Sequence, residues 1–365
     1  MTRHRFHALC PYFAMFPETF AEKWIAELTR PGDVVIDPFC GRGTVPFQAL
    51  LMGRRSIGVD TNQVAYCVSR AKTAAPRRES VKRRLRELEK IFAGGDWEAE
   101  RRRLPPFFRR AYAPSTLRQI LFLRERLDWK RRRTDCMLAA IALGALHGET
   151  ETSQSYLSNQ MPRTISTKPA YSIRFWESHG HVAPDRDAFS LLADRIDFRY
   201  RDDPPEGEAY VVNGDMRDLP RLAPQLPVPV RAAITSPPYL DVTNFEEDQW
   251  LRLWFLGGPP YPTPRRVSPD DRHWSGRTYW PLIADMWRVL GSVVKAGGHV
   301  VVRIGATKLS PDQVRSSLVG AARVSPRHVR LVSWEVSEIQ RRQTDAFRPG
   351  TSGCRLELDC HFQLR

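Results

Sequence analysis

Two short strings concentrate side chains suited to binding a cofactor and handling a polar substrate. The first, Asp37-Pro-Phe-Cys-Gly-Arg-Gly-Thr44, places Gly41 and Gly43 in a turn between an apolar run and a helix-forming one. Small residues there let the backbone approach a ligand at a helix N-terminus. Asp60 follows 17 residues after Gly43, where a carboxylate can accept both ribose hydroxyls of a nucleoside cofactor. Taken alone, such a glycine turn fits a purely structural role equally well. The second string, Thr235-Ser-Pro-Pro-Tyr-Leu240, ends another apolar run. Its prolines by themselves would explain a rigid turn. The hydroxyl and the ring beside them add a hydrogen-bond acceptor and a flat stacking surface.

The elements that must carry these strings follow from hydrophobic patterning. Asp33–Asp37 reads as a strand, Thr44–Met52 as a helix that Gly53 ends, Ser56–Asp60 as a second strand and Gln63–Thr73 as a second helix. A β-α-β-α start predicts a parallel, doubly wound α/β sheet. Strand patterning returns at Ala209–Asp215, Arg231–Ser236 and His299–Ile304. His328–Ser337 and Arg355–Leu364 alternate in polarity, which predicts an antiparallel hairpin closing one edge of the sheet. Phe245–Trp254 has apolar residues at helical spacing and is expected to be a core helix behind the Ser-Pro-Pro-Tyr turn.

From Pro76 the character changes to basic and helical, with a break at Leu104-Pro-Pro and further helices at Ser115–Leu127 and Asp135–His147. A long polar loop follows at Thr150–Tyr171. The expected organisation is therefore one domain made of residues 1–75 and 206–365, interrupted by a largely helical insertion at 76–205.

The complete first string resembles the D-P-F-x-G-x-G-T motif I of S-adenosylmethionine-dependent amino-methyltransferases that act on nucleic acids. Asp37, Pro38, Phe39, Gly41, Gly43 and Thr44 match it position by position, and the resemblance implies that they bend around the cofactor. Phe16-Pro17, within Tyr12–Glu18, stands where that family has a cofactor-capping element, although core packing explains Phe16 equally well. Gly214-Asp215-Met216 resembles the element whose aspartate addresses the adenine amino group. An aspartate at a strand end is also a common turn cap. Ser236-Pro237-Pro238-Tyr239 matches the family's D/N/S-P-P-Y/F motif IV. The resemblance covers residues 10–72 and 209–305 and implies a class I, Rossmann-like methyltransferase fold.

The chemistry such a family performs has a definite need for these residue types. An exocyclic amine on a base is a poor nucleophile because its lone pair is delocalised into the ring. The Ser236 oxygen and the Pro237 carbonyl can accept its two N–H bonds and aim the lone pair at a methyl sulfonium, while Tyr239 stacks on a base that has left the duplex. Ring-carbon methylation needs a thiolate, and no Pro-Cys stands at this strand end. In the family it resembles, serine in the first position is common in cytosine-N4 enzymes and aspartate in adenine-N6 enzymes, so the resemblance implies cytosine N4. The expected activity is site-specific DNA cytosine-N4 methylation; adenine-N6 methylation and transfer-RNA guanosine-N2 methylation are the alternatives. The second lacks its usual D-P-P-Y here, and only about thirty residues precede the first strand. Glutamine methyltransferases, with N-P-P-Y, would leave the basic insertion without a purpose. A DNA-binding protein that has lost catalysis would not need intact Gly43, Asp60 and Ser-Pro-Pro-Tyr.

Charge supports a polyanionic partner. The 365 residues carry a formal net charge of +15, and residues 76–133 alone hold 19 Lys and Arg against 8 Asp and Glu. Arg77, Arg78, Arg83, Arg84, Arg101–Arg103 and Lys130–Arg133 are candidate phosphate contacts, while Asn159, Gln160 and Arg163 have the side chains suited to base edges. Double-stranded DNA is the expected partner, with a cognate restriction endonuclease and a second copy of the chain as further candidates. Six scattered cysteines without a C-x-x-C pair predict neither a disulfide nor a metal site. The absence of an apolar run of spanning length or a secretory leader predicts a cytoplasmic, nucleoid-associated protein.

Overall fold

The computed structural model describes residues 3–12, 16–92, 97–148, 156–160, 168–240, 245–263, 275–305, 308–338, 354 and 356–365. These fall into two compact units, one drawn from residues 14–69, 205–244 and 267–365, the other from 1–13, 70–204 and 245–266.

The first unit is built on a seven-stranded sheet of order β3-β2-β1-β4-β5-β7-β6. Its strands are β1 (Val34–Asp37), β2 (Arg55–Asp60), β3 (Ala209–Asn213), β4 (Val230–Thr235), β5 (Val294–Gly305), β6 (Val329–Glu338) and β7 (Leu356–Leu364). Pairs among β1 to β5 are parallel, whereas β7 runs antiparallel to both β5 and β6. This is a Rossmann-like α/β sheet with an antiparallel hairpin at one edge. All four residues of β1 are buried, as a central parallel strand covered on both faces requires. Val34 and Ile36 enter one apolar layer with Ile283, Met286, Trp287 and Leu290 of the helix Gly276–Val293. Val35 enters the other, with Ile234, Val301 and the helices Glu18–Leu28 and Thr44–Leu51.

The terminal hairpin forms, and its second strand takes the inner place. Leu358, Cys360, Phe362 and Leu364 of β7 are buried, while β6 exposes Val332, Trp334 and Val336. The more apolar strand inserts beside β5, and the more polar one is left at the edge.

The second unit is helical, with helices Arg78–Phe92, Glu98–Arg103, Pro106–Ala111, Pro114–Arg126, Arg133–Leu143, Pro169–Ser178 and Ala188–Arg199. Besides the basic segment it takes in residues 245–263, which corrects the expectation of a single core helix behind the Ser-Pro-Pro-Tyr turn. That stretch forms two short helices, Phe245–Asp248 and Trp250–Phe255, separated at Gln249. Trp254 packs its ring 4.4 Å from that of Phe108, and Trp250 stands edge-on to Phe107 and Phe108. Its apolar spacing therefore reflects burial against other aromatics of the helical unit. Among the described residues no helix is long and apolar enough to cross a membrane, no group of acidic, Cys or His residues is arranged to hold a metal, and the six cysteines are buried and joined in no disulfide.

Candidate active site

Parallel strands deliver their C-terminal ends to one rim of the sheet, where ligands of open α/β folds bind. Asp37 ends β1, Asp60 ends β2 opposite Asn213 of β3, and Thr235 ends β4. Both sequence strings therefore reach the same rim.

The glycine turn is held by the residues around it. Gly41 and Gly43 adopt positive φ of 50° and 73°, a region favourable only without a Cβ. A Cβ on Gly43 would also lie 2.6 Å from Ser69 Oγ, so this glycine lets the helix Gln63–Thr73 pack against the turn. Ser69 Oγ in turn donates to the Gly41 carbonyl at 2.8 Å. Asp60 Oδ2 accepts from the Gly41 N–H at 2.8 Å and Oδ1 from the Asn62 N–H at 2.9 Å. Asp60 thus fixes the turn to the end of β2 while remaining half-buried at the rim. Thr44 opens the helix Thr44–Leu51.

Asp37 is fully buried. Its Oδ1 accepts from the Phe39 N–H at 3.1 Å and from Thr235 Oγ1 at 2.6 Å. Oδ2 is buried with no hydrogen-bond partner among the described residues. Burial raises its pKa to about 7, against the two hydrogen bonds, and the nearby Asp60 charge adds to the rise. An unpaired buried acceptor beside a glycine turn, with a second carboxylate at the rim, fits a ligand carrying a cationic amino group and a diol.

Phe39 and Phe16 are each half-buried and pack against the two apolar layers. The Phe16 ring stands edge-on to Phe20 at 5.1 Å, and Pro17 precedes the helix Glu18–Leu28. Residues 13–15, between Tyr12 and Phe16, lie outside the described residues. Gly214 N–H donates to the Asp60 carbonyl at 3.1 Å, which brings Asp215 to the same rim. Asp215 caps a short 3₁₀ turn by accepting from the Arg217 N–H at 2.9 Å, and it pairs with the Arg217 guanidinium at 2.9 Å. Met216 is buried in the apolar layer.

Beyond β4, Pro237 is buried and Ser236, Pro238 and Tyr239 are half-buried. The Tyr239 hydroxyl donates to Glu357 Oε1 at 2.7 Å. Burial, followed by the charge of Glu357, pushes its pKa well above the ordinary phenol value. Arg303 on β5 reaches Glu357 at 3.4 Å and grips Asp359 with two bonds of 2.7 Å. Glu357, Arg303 and Asp359 escape sequence reading, as does the role of Thr235. Thr235 belongs to the second string but its buried partner is not marked there, and only the pairing of β5 with β7 brings Glu357, Arg303 and Asp359 together.

The insertion's candidate contacts divide. Arg78 and Lys82 pair with Asp197, Arg84 with the fully buried Asp135, and Arg101 and Arg102 with Glu98. These cations are used inside the helical unit. Lys130–Arg133 are all exposed, on a turn whose carbonyls at Trp129, Lys130 and Arg131 accept from Arg70. Asn159 is buried, its Nδ2 donating to the Arg110 carbonyl at 3.0 Å. This corrects its reading as a base-edge contact: its amide satisfies the backbone instead. The Gln160 carbonyl accepts from Trp176 Nε1 at 3.0 Å, and Arg163 lies outside the described residues.

Comparison with known proteins finds likeness to methyltransferases over part of the chain. Residues 3–69 match the N6_N4_Mtase family, described as DNA methylase. The orphan methyltransferase M.BamHII of Bacillus amyloliquefaciens is 43% identical over 54 residues, which is 15% of this chain and 20% of the relative. The type II methyltransferase M.MjaII of Methanocaldococcus jannaschii is 34% identical over 71 residues, 20% of this chain and 13% of the relative. The matches thus span no more than a fifth of either relative's length. The rRNA methyltransferase AviRa of Streptomyces viridochromogenes aligns over 97% of this chain and 87% of its own, at 13% identity and a TM-score of 0.36. Over residues 3–69, therefore, the chain is similar to the N6/N4 DNA methylase family.

Proposed function

We propose that the protein is a DNA methyltransferase that moves a methyl group from S-adenosylmethionine to the N4 amine of a flipped-out cytosine. The observation that carries this is the hydrogen bond of Thr235 to Asp37, which joins the amine-binding turn to the cofactor turn at one rim. Asp37, Gly41, Gly43 and Asp60 would hold the cofactor, with Phe16, Pro17, Phe39 and Thr44 around it and Asp215 and Met216 at the adenine end. When bound, the cofactor supplies an electrophilic methyl on a sulfonium. The Ser236 oxygen and the Pro237 carbonyl accept the two N–H bonds of the amine and orient its lone pair. Pro238 stiffens the turn, and Tyr239 offers its ring to the base. Ser236 is no strong base, so the proton leaves to water. Serine at this position, where adenine-N6 enzymes commonly have aspartate, supports cytosine.

Duplex DNA is the partner we assign to the exposed cations of the 76–205 insertion, chiefly Lys130–Arg133. A companion endonuclease, a second copy of the chain and a nucleoid location in the cytoplasm complete the proposal. The test is to incubate the protein with unmethylated DNA amplified from a whole bacterial genome and methyl-labelled S-adenosylmethionine, then digest to nucleosides. Label on N4-methylcytosine is expected; label on N6-methyladenine, or on RNA alone, would overturn the assignment.

A further inference from the structure

We propose that Gly305 and Glu357 form a seat that fixes the Tyr239 ring in the attitude it needs to receive the flipped base. This rests on the reading of Tyr239 as the surface on which that base stacks. The seat is one rung of the β5–β7 ladder. Gly305 stands directly opposite Glu357, and opposed residues of an antiparallel pair project from the same face. On the β5 side the missing side chain leaves a gap. The Cδ2–Cε2 edge of Tyr239 fills it so closely that a Cβ on Gly305 would fall 2.9 Å from Cε2 and 3.0 Å from Cδ2. On the β7 side the phenol donates to Glu357 Oε1 at 2.7 Å. The ring is therefore held along one edge and at its tip, by two residues outside the Ser-Pro-Pro-Tyr turn.

Glu357 is itself anchored. Arg303 and Asp359 form the next rung on the same face, and Glu357 Oε2 lies 3.4 Å from the Arg303 guanidinium. Arg303 is bound to Asp359 by two 2.7 Å hydrogen bonds and lies over the Phe20 ring at 4.0 Å, so its charge keeps the Glu357 carboxylate in place. The phenol's one hydrogen is committed to the protein, and the base meets a flat ring, not a hydroxyl donor. An untethered ring at the end of a turn would sample several rotamers. Holding one in advance removes that ordering cost from the docking of the base. Gly305 and Glu357 are positioning residues; of the three, Tyr239 alone touches the base.

The test measures kcat and KM on the same genomic DNA with labelled cofactor. Tyr239→Phe keeps the ring and cuts the tether, and Glu357→Ala cuts it from the other side. Each should lower kcat about ten- to a hundredfold, the worth of a hydrogen bond to a charged group. The double variant should be no slower than either single one, because both remove the same contact. Glu357→Gln keeps an acceptor for the phenol and should recover most of the loss. KM for DNA and affinity for S-adenosylhomocysteine should stay within about twofold of wild type, because the ring meets only a base that has already left the duplex. Losses that multiply in the double variant, a Glu357→Gln as slow as Glu357→Ala, or wild-type kcat in Tyr239→Phe would overturn the seat. An inactive Tyr239→Ala beside a wild-type Tyr239→Phe would leave the ring's role standing and remove only the seat. Wild-type kcat in Tyr239→Ala would overturn the ring's role and the seat with it. Far-ultraviolet circular dichroism and Tm establish that each variant is folded; should Glu357→Ala unfold, Tyr239→Phe and Glu357→Gln decide.

Discussion

The Thr235 hydroxyl donates to Asp37 Oδ1 across 2.6 Å, so the residue before the Ser-Pro-Pro-Tyr turn is tied to the first residue of the glycine turn. Because both partners are fully buried, the bond holds one turn's position relative to the other without solvent competition. Thr235→Val keeps the shape and removes the donor. It should lower stability by about 1–3 kcal/mol, the cost of depriving a buried acceptor of its partner, as measured by urea unfolding. Combined with Asp37→Asn the two effects should be non-additive, with a coupling of roughly 0.5–3 kcal/mol.

Asp37 also predicts a pH dependence. Its pKa stands near 7 in the folded protein against an ordinary value of 3.8, so between those values the folded state holds a proton that the unfolded state releases. Its contribution to stability is complete below about pH 4 and is lost as pH rises toward 7. Wild-type stability relative to Asp37→Asn should therefore fall across this window, by up to ~4 kcal/mol. Denaturant titrations of both proteins at several pH values measure it; a constant difference would refute the assignment.

His147 acts in the opposite direction. Burial, aided by the charge of Arg252, lowers its pKa from 6.5 to about 4, and its Nδ1 contacts Ser158 Oγ at 2.9 Å. The unfolded chain takes up this proton first, so the stabilisation is present above about pH 6.5 and lost as pH falls toward 4. His147→Gln should flatten that acid limb in the same titrations.

Gly43→Ala should be severe for its size. The added methyl meets Ser69 Oγ at 2.6 Å and Ser69 Cβ at 2.8 Å, at a backbone φ of 73°. Overpacking and strain each cost about 1–3 kcal/mol. Calorimetry with S-adenosylhomocysteine should show a loss of affinity beyond the change in Tm, because the turn itself moves.

The exposed run Lys130–Arg133 supplies a test of the DNA face. Replacing all four by alanine should reduce the slope of log affinity against log salt by roughly 0.9 for each phosphate that is no longer neutralised. Fluorescence anisotropy with a labelled random duplex measures the slope. An unchanged slope would move the DNA-binding surface elsewhere in the helical unit. Arg84→Ala, by contrast, should act on stability, since it strands the buried Asp135.

What could be read before folding was everything local. The strand–turn–helix around Gly41 and Gly43, the strand ending at Thr235 and the helix Gln63–Thr73 follow from short-range patterning, because glycine, proline and apolar spacing constrain the backbone where they stand. The types of the rim residues were legible for the same reason. Long-range pairing was not. Ser69 beneath Gly43, Thr235 on Asp37, and Glu357 with Arg303 behind Tyr239 are separated by 26 to 198 residues, and nothing in an alternating strand marks which neighbour it will meet. The helical unit shows the same limit: Arg84 and Arg101 look like Arg131 in a sequence, yet only packing turns the first two inward onto Asp135 and Glu98 and leaves the third exposed. The sequence by itself determined the two turns and the chemistry their side chains offer. Tertiary structure decided which buried partners orient that chemistry, because burial and hydrogen-bond partnership are properties of the assembled sheet rather than of any one segment.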